Sequence, residues 1–178
     1  MRSQIYRYSI LFTVLVAGLL IDLYTKEWAR ESLRGRANIE IAAGLVELGY
    51  TENRGMVFGL LNNDEFTPLH PVLKHLTLIG TVFLLVYVIV IRKKPLRLLL
   101  PFYLVLAGAI GNALDKIRFG YVIDFIHLQI KGFIDWPFYF NMADAFLCIG
   151  IGWLFIELHF SGSHSNDQSE TNDTEPQV

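Results

Sequence analysis

The sequence predicts an all-α polytopic membrane protein, with four transmembrane helices and a small β-sheet in the first outer loop. Hydrophobic residues make up 53% of its 178 residues, and the mean hydropathy is +0.40. They occur in long uninterrupted runs rather than on the short periodic faces of a soluble core. A transmembrane helix needs about 20 mostly apolar residues. Four runs come near enough to this length, at residues 8–23, 72–91, 96–114 and 138–158.

The first run, residues 8–23, is the shortest, and it follows two basic residues, Arg2 and Arg7. A secretory signal begins in the same way, but no small-x-small cleavage site comes directly after this run. We therefore expect the first run to be a retained membrane helix.

The two outer loops carry different patterns. Between residues 38 and 50, apolar side chains recur in short groups separated by Gly44 and Gly49, and Arg54-Gly55 can form a turn. This pattern predicts short strands, and hence a small sheet on the outer membrane surface. The second outer loop, residues 116–137, is rich in Phe, Tyr and Trp, which favour the headgroup region. We expect this second segment to be a loop that rests on the interface.

Basic residues predict the orientation of the chain. They crowd the short link between the second and third runs, at Arg92, Lys93, Lys94 and Arg97. Together with the two arginines before the first run, they mark the cytoplasmic side, which places both termini in the cytoplasm. The longer first loop, residues 24–71, fits this rule less simply because it mixes acidic residues with basic ones: Lys26, Arg30, Arg34, Arg36 and Arg54.

Composition also predicts how far the membrane domain extends and which class of partner is excluded. Residues 1–160 are predicted to form a single membrane domain, and residues 161–178, polar and without Lys or Arg, a disordered tail. A net charge of −2 and a pI near 6.2 leave no basic stripe for a nucleic acid. Cys148 is the only cysteine, which excludes an intramolecular disulfide.

Asp144 is the most informative residue because it lies within the apolar fourth run. An ionisable group at such a depth costs at least about 3 kcal/mol and marks a functional site. In the predicted topology other polar residues reach the same level near the outer face. They are Asp22 and Lys26 at the end of the first span, Asn112 and Asp115 at the end of the third, Asn141 within the first two turns of the fourth, and Asp124 from the second loop. Spacings of three or four residues put each helical pair on one face.

Two carboxylates in a partly dry site share one proton, which is the arrangement of an aspartic protease. Asp124 and Asp144 fit this arrangement. Serine is absent between Ser32 and Ser161, and no His-Glu-x-x-His motif occurs, so serine and zinc protease chemistry lack their residues. We expect neither a metal nor an organic cofactor.

Other interpretations remain open from the residues alone. Asp22 with Lys26 could be an ion pair at a helix end, whose charges reach the interface cheaply. An ion-coupled or proton-coupled transporter could use Asp144 as its carrier site, with Glu157 as a relay. A metal-dependent lipid-headgroup transferase could use Asp115, Asp124 and Asp144 as ligands. A noncatalytic membrane subunit is the remaining class.

The chain resembles a known family, the lipoprotein signal peptidases, also called signal peptidase II. The resemblance covers nearly the whole chain before the tail. It rests on Asp22 with Lys26, on Asn53-Arg54-Gly55-Met56-Val57-Phe58-Gly59, on Gly111-Asn112-Ala113-Leu114-Asp115-Lys116, on Val122-Ile123-Asp124-Phe125, and on Phe140-Asn141-Met142-Ala143-Asp144. It implies an aspartic endopeptidase of the bacterial cytoplasmic membrane that cuts prolipoproteins before a cysteine carrying diacylglyceryl. The expected partners are lipid-modified prolipoproteins and membrane lipids, and we expect a monomer.

The resemblance also implies residue roles. Asp124 and Asp144 match the family's catalytic pair, and Asp22 with Lys26 matches a supporting pair. Positions that bind substrate or orient the catalytic pair are matched by Asn53, Gly55, Asn112, Asp115 and Asn141. Two departures are present. Lys116 stands where the family usually has arginine, which replaces a bidentate fork by a point charge. Met56 and Val57 stand where smaller residues are expected.

Overall fold

A computed structural model describes residues 2–41, 45–55, 64–130 and 134–170 of the chain. It contains four long helices: α1 Arg2–Ser32, α2 His70–Val90, α3 Leu96–Arg118 and α4 Met142–Glu170. Four strands lie between them: β1 Ile39–Ile41, β2 Val46–Asn53, β3 Val122–Ile130 and β4 Ile134–Phe140. A short 3-10 helix, Asp64–Leu69, precedes α2.

Four helices in the described part of the chain are long and apolar enough to cross a membrane, which confirms the predicted fold class. Several helix ends differ from the predicted span limits, and two of these differences affect the candidate site. The first helix continues to Ser32 instead of ending at residue 23, because Lys26 is buried against other elements rather than exposed to lipid. The fourth helix begins at Met142 rather than at residue 138, because the preceding residues pair with β3 as strand β4.

Helix α3 is the central helix of the membrane domain. Of its membrane-crossing segment, 56% is buried inside the protein. The corresponding segments of the other three helices are only 11–17% buried and face outward. Small residues on α3 permit this close packing. A Cβ atom at Gly108 would overlap the carbonyl oxygen of Ala143, and one at Gly111 would overlap Asp22 Oδ2. The beginning of α4 and the middle of α1 therefore lie directly against α3.

The four strands form one antiparallel sheet in the order β1-β2-β3-β4. Its first two strands confirm the sheet predicted for the first outer loop, although Gly49 lies inside β2 rather than between strands. The prediction of a loop at residues 116–137 is wrong, because β3 and the start of β4 fall within it. Pro137 is tolerated there because β4 is an edge strand, where a missing N–H need not break the ladder.

A small apolar cluster joins α1 to the sheet. Ala29 and Leu33 at the end of α1 pack against Ile123 and Phe125 of β3, and all four side chains are buried. Trp28 meets Phe125 edge to face, with ring centroids 6.3 Å apart. Asp124 lies between Ile123 and Phe125, so this cluster fixes its height beside the helix ends.

The end of the chain differs from the prediction. Helix α4 continues to Glu170, where the sequence predicted disorder from residue 161, and residues 171–178 lie outside the described part of the chain. No proline interrupts residues 142–170, so the helical hydrogen-bond ladder can continue into the polar sequence.

Candidate active site

Asp124 is held in β3 by two asparagine side chains. Thr51 of β2 is its partner across the sheet, and Asn53, two residues further on, is on the same face. Asn53 Nδ2 donates to Asp124 Oδ2 at 2.8 Å, and Asn141 Nδ2 donates to Oδ1 at 2.6 Å. The carboxyl is only 1% exposed. Both of its oxygens therefore accept a hydrogen bond inside the protein.

Asp144 lies in the first turn of α4, and Asn141 caps this helix. The Asn141 carbonyl accepts the first helical bond, from Ala145 N, and its Oδ1 accepts from Asp144 N at 3.0 Å. The prediction that Asn141 lies within the helix is therefore wrong, because β4 ends at Phe140 and leaves Asn141 as the cap. Asp144 Oδ1 accepts from Asn112 Nδ2 at 2.9 Å. Its buried Oδ2 has no hydrogen-bond partner among the described residues.

Two asparagines link the two aspartates. Asn141 donates to the Asp124 carboxyl through Nδ2 and accepts from the Asp144 backbone through Oδ1. Asn112 donates to the Asp144 carboxyl, and its Oδ1 accepts from Asn141 Nδ2 at 3.3 Å. One connected network therefore fixes the two carboxyls relative to each other, with donors from the cap of α4 and from α3.

Lys26 supplies the positive charge beneath this network. Its Nζ lies 2.8 Å from Asp22 Oδ2, 3.2 Å from Asp115 Oδ2 and 2.9 Å from Asn112 Oδ1. The side chains of Lys26, Asp22 and Asp115 are at most 2% exposed. This burial contradicts the alternative of an ion pair that reaches the interface at a helix end.

The two acids around Lys26 also bind backbone groups of other elements. Asp22 Oδ1 accepts from the N–H of Ala143 in the first turn of α4 at 2.9 Å. Asp115 Oδ2 accepts from the N–H of Ile123 at 3.2 Å. The first contact complements the positive end of the α4 dipole, and the second attaches β3 to α3 beside Asp124.

Lys116 and Gly55 form a separate contact at the edge of the site. Lys116 is buried at the end of α3, and its Nζ donates to the carbonyl oxygen of Gly55. The lysine therefore ties the chain after β2 to α3. The rest of that sequence motif, Met56-Val57-Phe58-Gly59, lies outside the described residues.

The charges of the site favour retention of a proton. Among the described residues, the four buried carboxylates of the site, at Asp22, Asp115, Asp124 and Asp144, face two buried ammonium groups, those of Lys26 and Lys116. Burial and then the charge of Asp144 raise the pKa of Asp124 to about 8, against the opposing effects of Asn53, Lys26 and Asn141. Two carboxyls that interact this strongly lose their protons in separate steps. Near neutral pH the pair of carboxyls therefore retains a proton.

Helix α2 contributes residues that the sequence analysis did not identify. It borders a cavity of about 250 Å³ that lies between α2, α3 and α4. Asn112 is part of the wall, so the cavity adjoins the bonded network. The other lining residues are Leu73, Leu76, Thr77, Gly80, Thr81, Ala109 and Leu147. The signal in the sequence was the group of small and hydroxyl residues, Thr77, Gly80 and Thr81, inside an otherwise apolar span.

All predicted site residues thus lie in two adjoining sets. Lys116 contacts Gly55 at the edge, and the others form the bonded network: Asp22, Lys26, Asn53, Asn112, Asp115, Asp124, Asn141 and Asp144. In the part of the chain that the structure describes, no group of three or more His, Cys, Asp or Glu residues is arranged to hold a metal ion.

Similar proteins support an assignment to one family. The family described as Signal peptidase (SPase) II matches residues 14–160. A lipoprotein signal peptidase of Pelodictyon phaeoclathratiforme is 39% identical over 153 residues, which cover 82% of this chain and 87% of that protein. One from Clostridioides difficile is 35% identical over 156 residues, covering 88% of this chain and 97% of the relative.

Solved structures agree on the fold. A bacterial membrane enzyme determined by the in meso method at 2.3 Å resolution superposes with a TM-score of 0.70 at 23% identity, over 96% of this chain and 94% of the other. A second bacterial membrane enzyme, at 1.9 Å resolution, gives a TM-score of 0.68 at 25% identity, over 84% and 92% of the two chains. With its four membrane helices and the extended match of its sequence, this chain belongs to the signal peptidase II family.

Proposed function

We propose that this protein is an aspartic endopeptidase that removes signal peptides from diacylglyceryl-modified prolipoproteins, cutting before the lipidated cysteine. The observation that carries this proposal is the network in which Asn141 and Asn112 join Asp124 to Asp144. The similar proteins are named lipoprotein signal peptidases, and this supports the substrate class. Membership of a peptidase family gives no support to the transporter alternative.

The proposed reaction uses the two aspartates in complementary states. One carboxylate takes a proton from a water molecule, which then attacks the scissile carbonyl carbon. The other, protonated, donates a hydrogen bond to the carbonyl oxygen and later a proton to the leaving amine. The raised pKa of Asp124 supports this division because it keeps one proton in the pair near neutral pH. The Asp144 Oδ2 atom, which lacks a partner among the described residues, is suited to face water or substrate.

The surrounding residues are proposed to orient this pair. Asn53, Asn112 and Asn141 hold the carboxyl oxygens, while Lys26 with Asp22 and Asp115 supports the network from below. We assign Lys116 and Gly55 to the substrate-binding edge. The apolar cavity beside Asn112 is proposed to take an apolar part of the substrate, which would enter between α2 and α4. We propose a monomer as the working unit.

We further propose that the protein lies in the bacterial cytoplasmic membrane, with both termini in the cytoplasm and the site toward the outer face. The basic link between α2 and α3 supports this orientation. Arg7, near the start of α1, donates to the carbonyl oxygens of Arg92 and Lys94 in that link. The start of α1 and the basic link are therefore on the same side of the membrane domain.

The test is cleavage of a purified diacylglyceryl-modified prolipoprotein by the reconstituted protein. We expect Asp124→Asn and Asp144→Asn each to reduce the rate by at least about a thousandfold, since each removes half of the proton-sharing pair. Glu157→Gln is the matched control because it neutralises another carboxyl of α4, paired only weakly with Arg97 at 3.8 Å. It should cleave like the parent.

Three results would contradict this proposal. They are retained cleavage in a folded Asp144→Asn variant, equal loss in Glu157→Gln, and loss of parent activity upon chelation of divalent cations. The last result would favour the metal-dependent transferase class. Circular dichroism and size-exclusion profiles of the variants show whether each variant is folded.

A further inference from the structure

One glycine of α2, Gly80, is not explained by close packing. It lies in the middle of the helix, where glycine is less favourable than any residue except proline. No atom of the described residues lies within 4 Å of the position that a Cβ atom would take there. At Gly108 and Gly111 of α3, by contrast, a Cβ atom would overlap its neighbours. Close helix contacts therefore account for these two glycines of α3 but not for Gly80.

Gly80 belongs to the wall of the cavity between α2, α3 and α4. The α2 residues of that wall are spaced as one stripe along the helix: Leu73, Leu76, Thr77, Gly80 and Thr81. A side chain at position 80 would extend from this stripe into a volume of about 250 Å³. The glycine therefore keeps part of the cavity open, although it weakens the helix.

The cavity is long and runs parallel to the membrane spans. Its α2 wall reaches from Leu73 to Thr81, which is about 12 Å of helix. Thr81 donates to the carbonyl oxygen of Ala109 at 3.3 Å, and this contact marks the deep end. Asn112 lies one turn of α3 nearer to the sheet, and its side chain donates to Asp144. The cavity therefore passes the level of the proposed catalytic pair.

The polar groups in the described part of the wall already bond within the protein. Thr77 donates to the carbonyl oxygen of Leu73 at 2.9 Å, and Thr81 donates to that of Thr77 at 2.8 Å. The side-chain oxygen and nitrogen of Asn112 both bond inside the site network. The other side chains of this wall are aliphatic. A peptide backbone would therefore find few partners for its N–H and C=O groups, whereas a hydrocarbon chain needs none.

We propose that the cavity holds one acyl chain of the substrate's diacylglyceryl group, and that Gly80 is the residue that limits the chain it admits. This inference rests on the proposed function and names the apolar part of the substrate that occupies the cavity. A signal-peptide helix, about 10–12 Å across with its side chains, is too wide for this volume. A single aliphatic side chain is too short to fill it. An acyl chain matches both the length of the cavity and its apolar wall.

The bound chain positions the scissile bond rather than supplying hydrophobic free energy. Bilayer lipid is as apolar as the cavity wall, so transfer between the two contributes little. A chain held beside Asn112 instead restricts the motion of the cysteine to which it is attached. Remote binding of this kind is expressed in the reaction rate, so a shortened chain should lower kcat as well as raise KM.

The experiment is a cycle of two substrates and two forms of the full chain, at a fixed mole fraction of substrate in detergent micelles. The substrates are one prolipoprotein peptide whose cysteine carries either dipalmitoylglyceryl or dibutyrylglyceryl. We expect the parent to prefer the long chain by about tenfold in kcat/KM. Gly80→Leu fills the cavity and should reduce this preference to less than about twofold, because the two changes remove the same interaction. Comparing the preferences cancels any difference in how the substrates partition into micelles.

Gly152→Leu is the matched control because it makes the same change on an exposed face of α4, away from the cavity wall. No atom of the described residues lies within 4 Å of an added Cβ atom at Gly152. This variant should keep the preference of the parent. Loss of the preference in Gly152→Leu as large as in Gly80→Leu would show that the effect does not come from the cavity.

Cross-linking of the parent gives a second test that does not depend on the folding of Gly80→Leu. A lipopeptide with a diazirine in one acyl chain should label the α2 segment 73–81. Unmodified lipopeptide should compete for this labelling, whereas the same amount of dipalmitoyl phosphatidylcholine should not. Adducts confined to other segments, or equal competition by phosphatidylcholine, would overturn the inference.

Failure of this inference can be told apart from failure of the proposed function. A parent that cleaves both substrates equally well, or a Gly80→Leu variant that keeps the full preference for the long chain, would overturn the role of the cavity and leave the peptidase function standing. Equal losses on both substrates in Gly80→Leu would indicate a peptide side chain in the cavity, which also overturns it. A parent that cleaves neither substrate would refute the proposed function and this inference together.

Discussion

At the scale of single residues, Lys26 organises the site because one ammonium group serves three oxygens. Asp22, Asp115 and Asn112 all lie within 3.2 Å of its Nζ. Removing one partner of a buried charge group leaves the remaining charges unpaired, which costs more than the pair itself contributes. Lys26 is therefore a structural requirement for two buried aspartates, besides its proposed support of the catalytic pair.

The first prediction concerns Lys26→Met, which keeps the length of the side chain and removes its charge. We expect the free energy of unfolding to fall by about 3–5 kcal/mol, because Asp22 and Asp115 remain buried without a cation. Denaturant unfolding in detergent measures this change. Lys93→Met is the control, since Lys93 is exposed in the α2–α3 link, and its effect should stay within about 0.5 kcal/mol. Equal effects of the two variants would contradict the proposed role.

The second prediction follows from the pKa of Asp124, which burial and the charge of Asp144 raise to about 8. The pair is active with one proton, so cleavage should fall as the pH rises through about 8 and that proton is lost. The same raised pKa means that the folded state binds this proton more tightly than the unfolded chain. Its contribution to stability is therefore greatest at low pH and declines between about pH 4 and pH 8. The pH profile of kcat/KM in the free enzyme reports the limit for cleavage.

The Asn53→Ala substitution tests the direction in which the pKa of Asp124 changes. Asn53 donates to Asp124 Oδ2 and so favours the charged carboxylate, which means that its removal should raise the pKa further. The alkaline limit of cleavage should move up by about one to two pH units, since a hydrogen bond to a charged group contributes about 1.5–3 kcal/mol. Asn38→Ala removes an asparagine just before β1 that bonds Glu47 and Tyr139 instead, and it should leave the limit unchanged. A downward shift in Asn53→Ala would contradict this account of Asp124.

Much of the site could be predicted at this scale. Asp144 was identified by its cost in an apolar run, and Asp22 with Lys26 by their spacing. The two functions of Asn141, as helix cap and as donor to Asp124, could not be read from the sequence. They depend on where β4 ends, and the apolar sequence before Asn141 permits a helix as readily as a strand.

At the scale of elements, the most informative difference between prediction and structure concerns the second outer segment. It was predicted to be a loop, and it forms the strand pair β3 and β4. In β3 both faces are largely apolar near Asp124, as Val122, Ile123, Phe125 and Ile126 show. A strand covered on both faces lacks the alternation that identifies one, so its sequence reads as a continuous apolar run. The first outer segment has shorter and more regular groups, and the presence of strands there was predicted correctly.

The packing of α4 on α3 yields the third prediction, for Gly108→Ala. The added Cβ atom would overlap the carbonyl oxygen of Ala143, a backbone atom next to Asp144 that cannot turn away. We expect a loss of about 1–3 kcal/mol in stability, typical of an overpacked interior, with a clear loss of cleavage as Asp144 moves. Thermal unfolding and the cleavage assay measure the two effects.

Gly152→Ala is the control for this helix contact. Gly152 lies in α4 with nothing within 4 Å of an added Cβ atom. The substitution should be neutral or slightly stabilising, because alanine favours helix more than glycine does. If Gly108→Ala and Gly152→Ala behave alike, close approach at Gly108 does not position the start of α4.

At the scale of the whole molecule, the site joins segments from nearly the full length of the chain. Asp22 of α1 accepts from the N–H of Ala143, 121 residues away, and Lys26 reaches Asn112 of α3, 86 residues away. These contacts join the first membrane helix to the last one and to α3. The sequence predicted that their polar residues share one depth, but the partner of each could not be assigned because depth alone does not fix how the helices are arranged around α3.

Orientation is the property of the whole molecule that the charges predict and that labelling can test. In a Cys148→Ala background, we expect a membrane-impermeant maleimide to label Glu40→Cys, exposed in β1, on intact spheroplasts. Lys93→Cys, in the basic α2–α3 link, should react only after the membrane is opened, because positive residues near short links are retained in the cytoplasm. Arg7 bonds that same link, so the start of α1 should share its protection. Labelling of Lys93→Cys alone on intact spheroplasts would reverse the topology and place the sheet, with Asp124, on the cytoplasmic side.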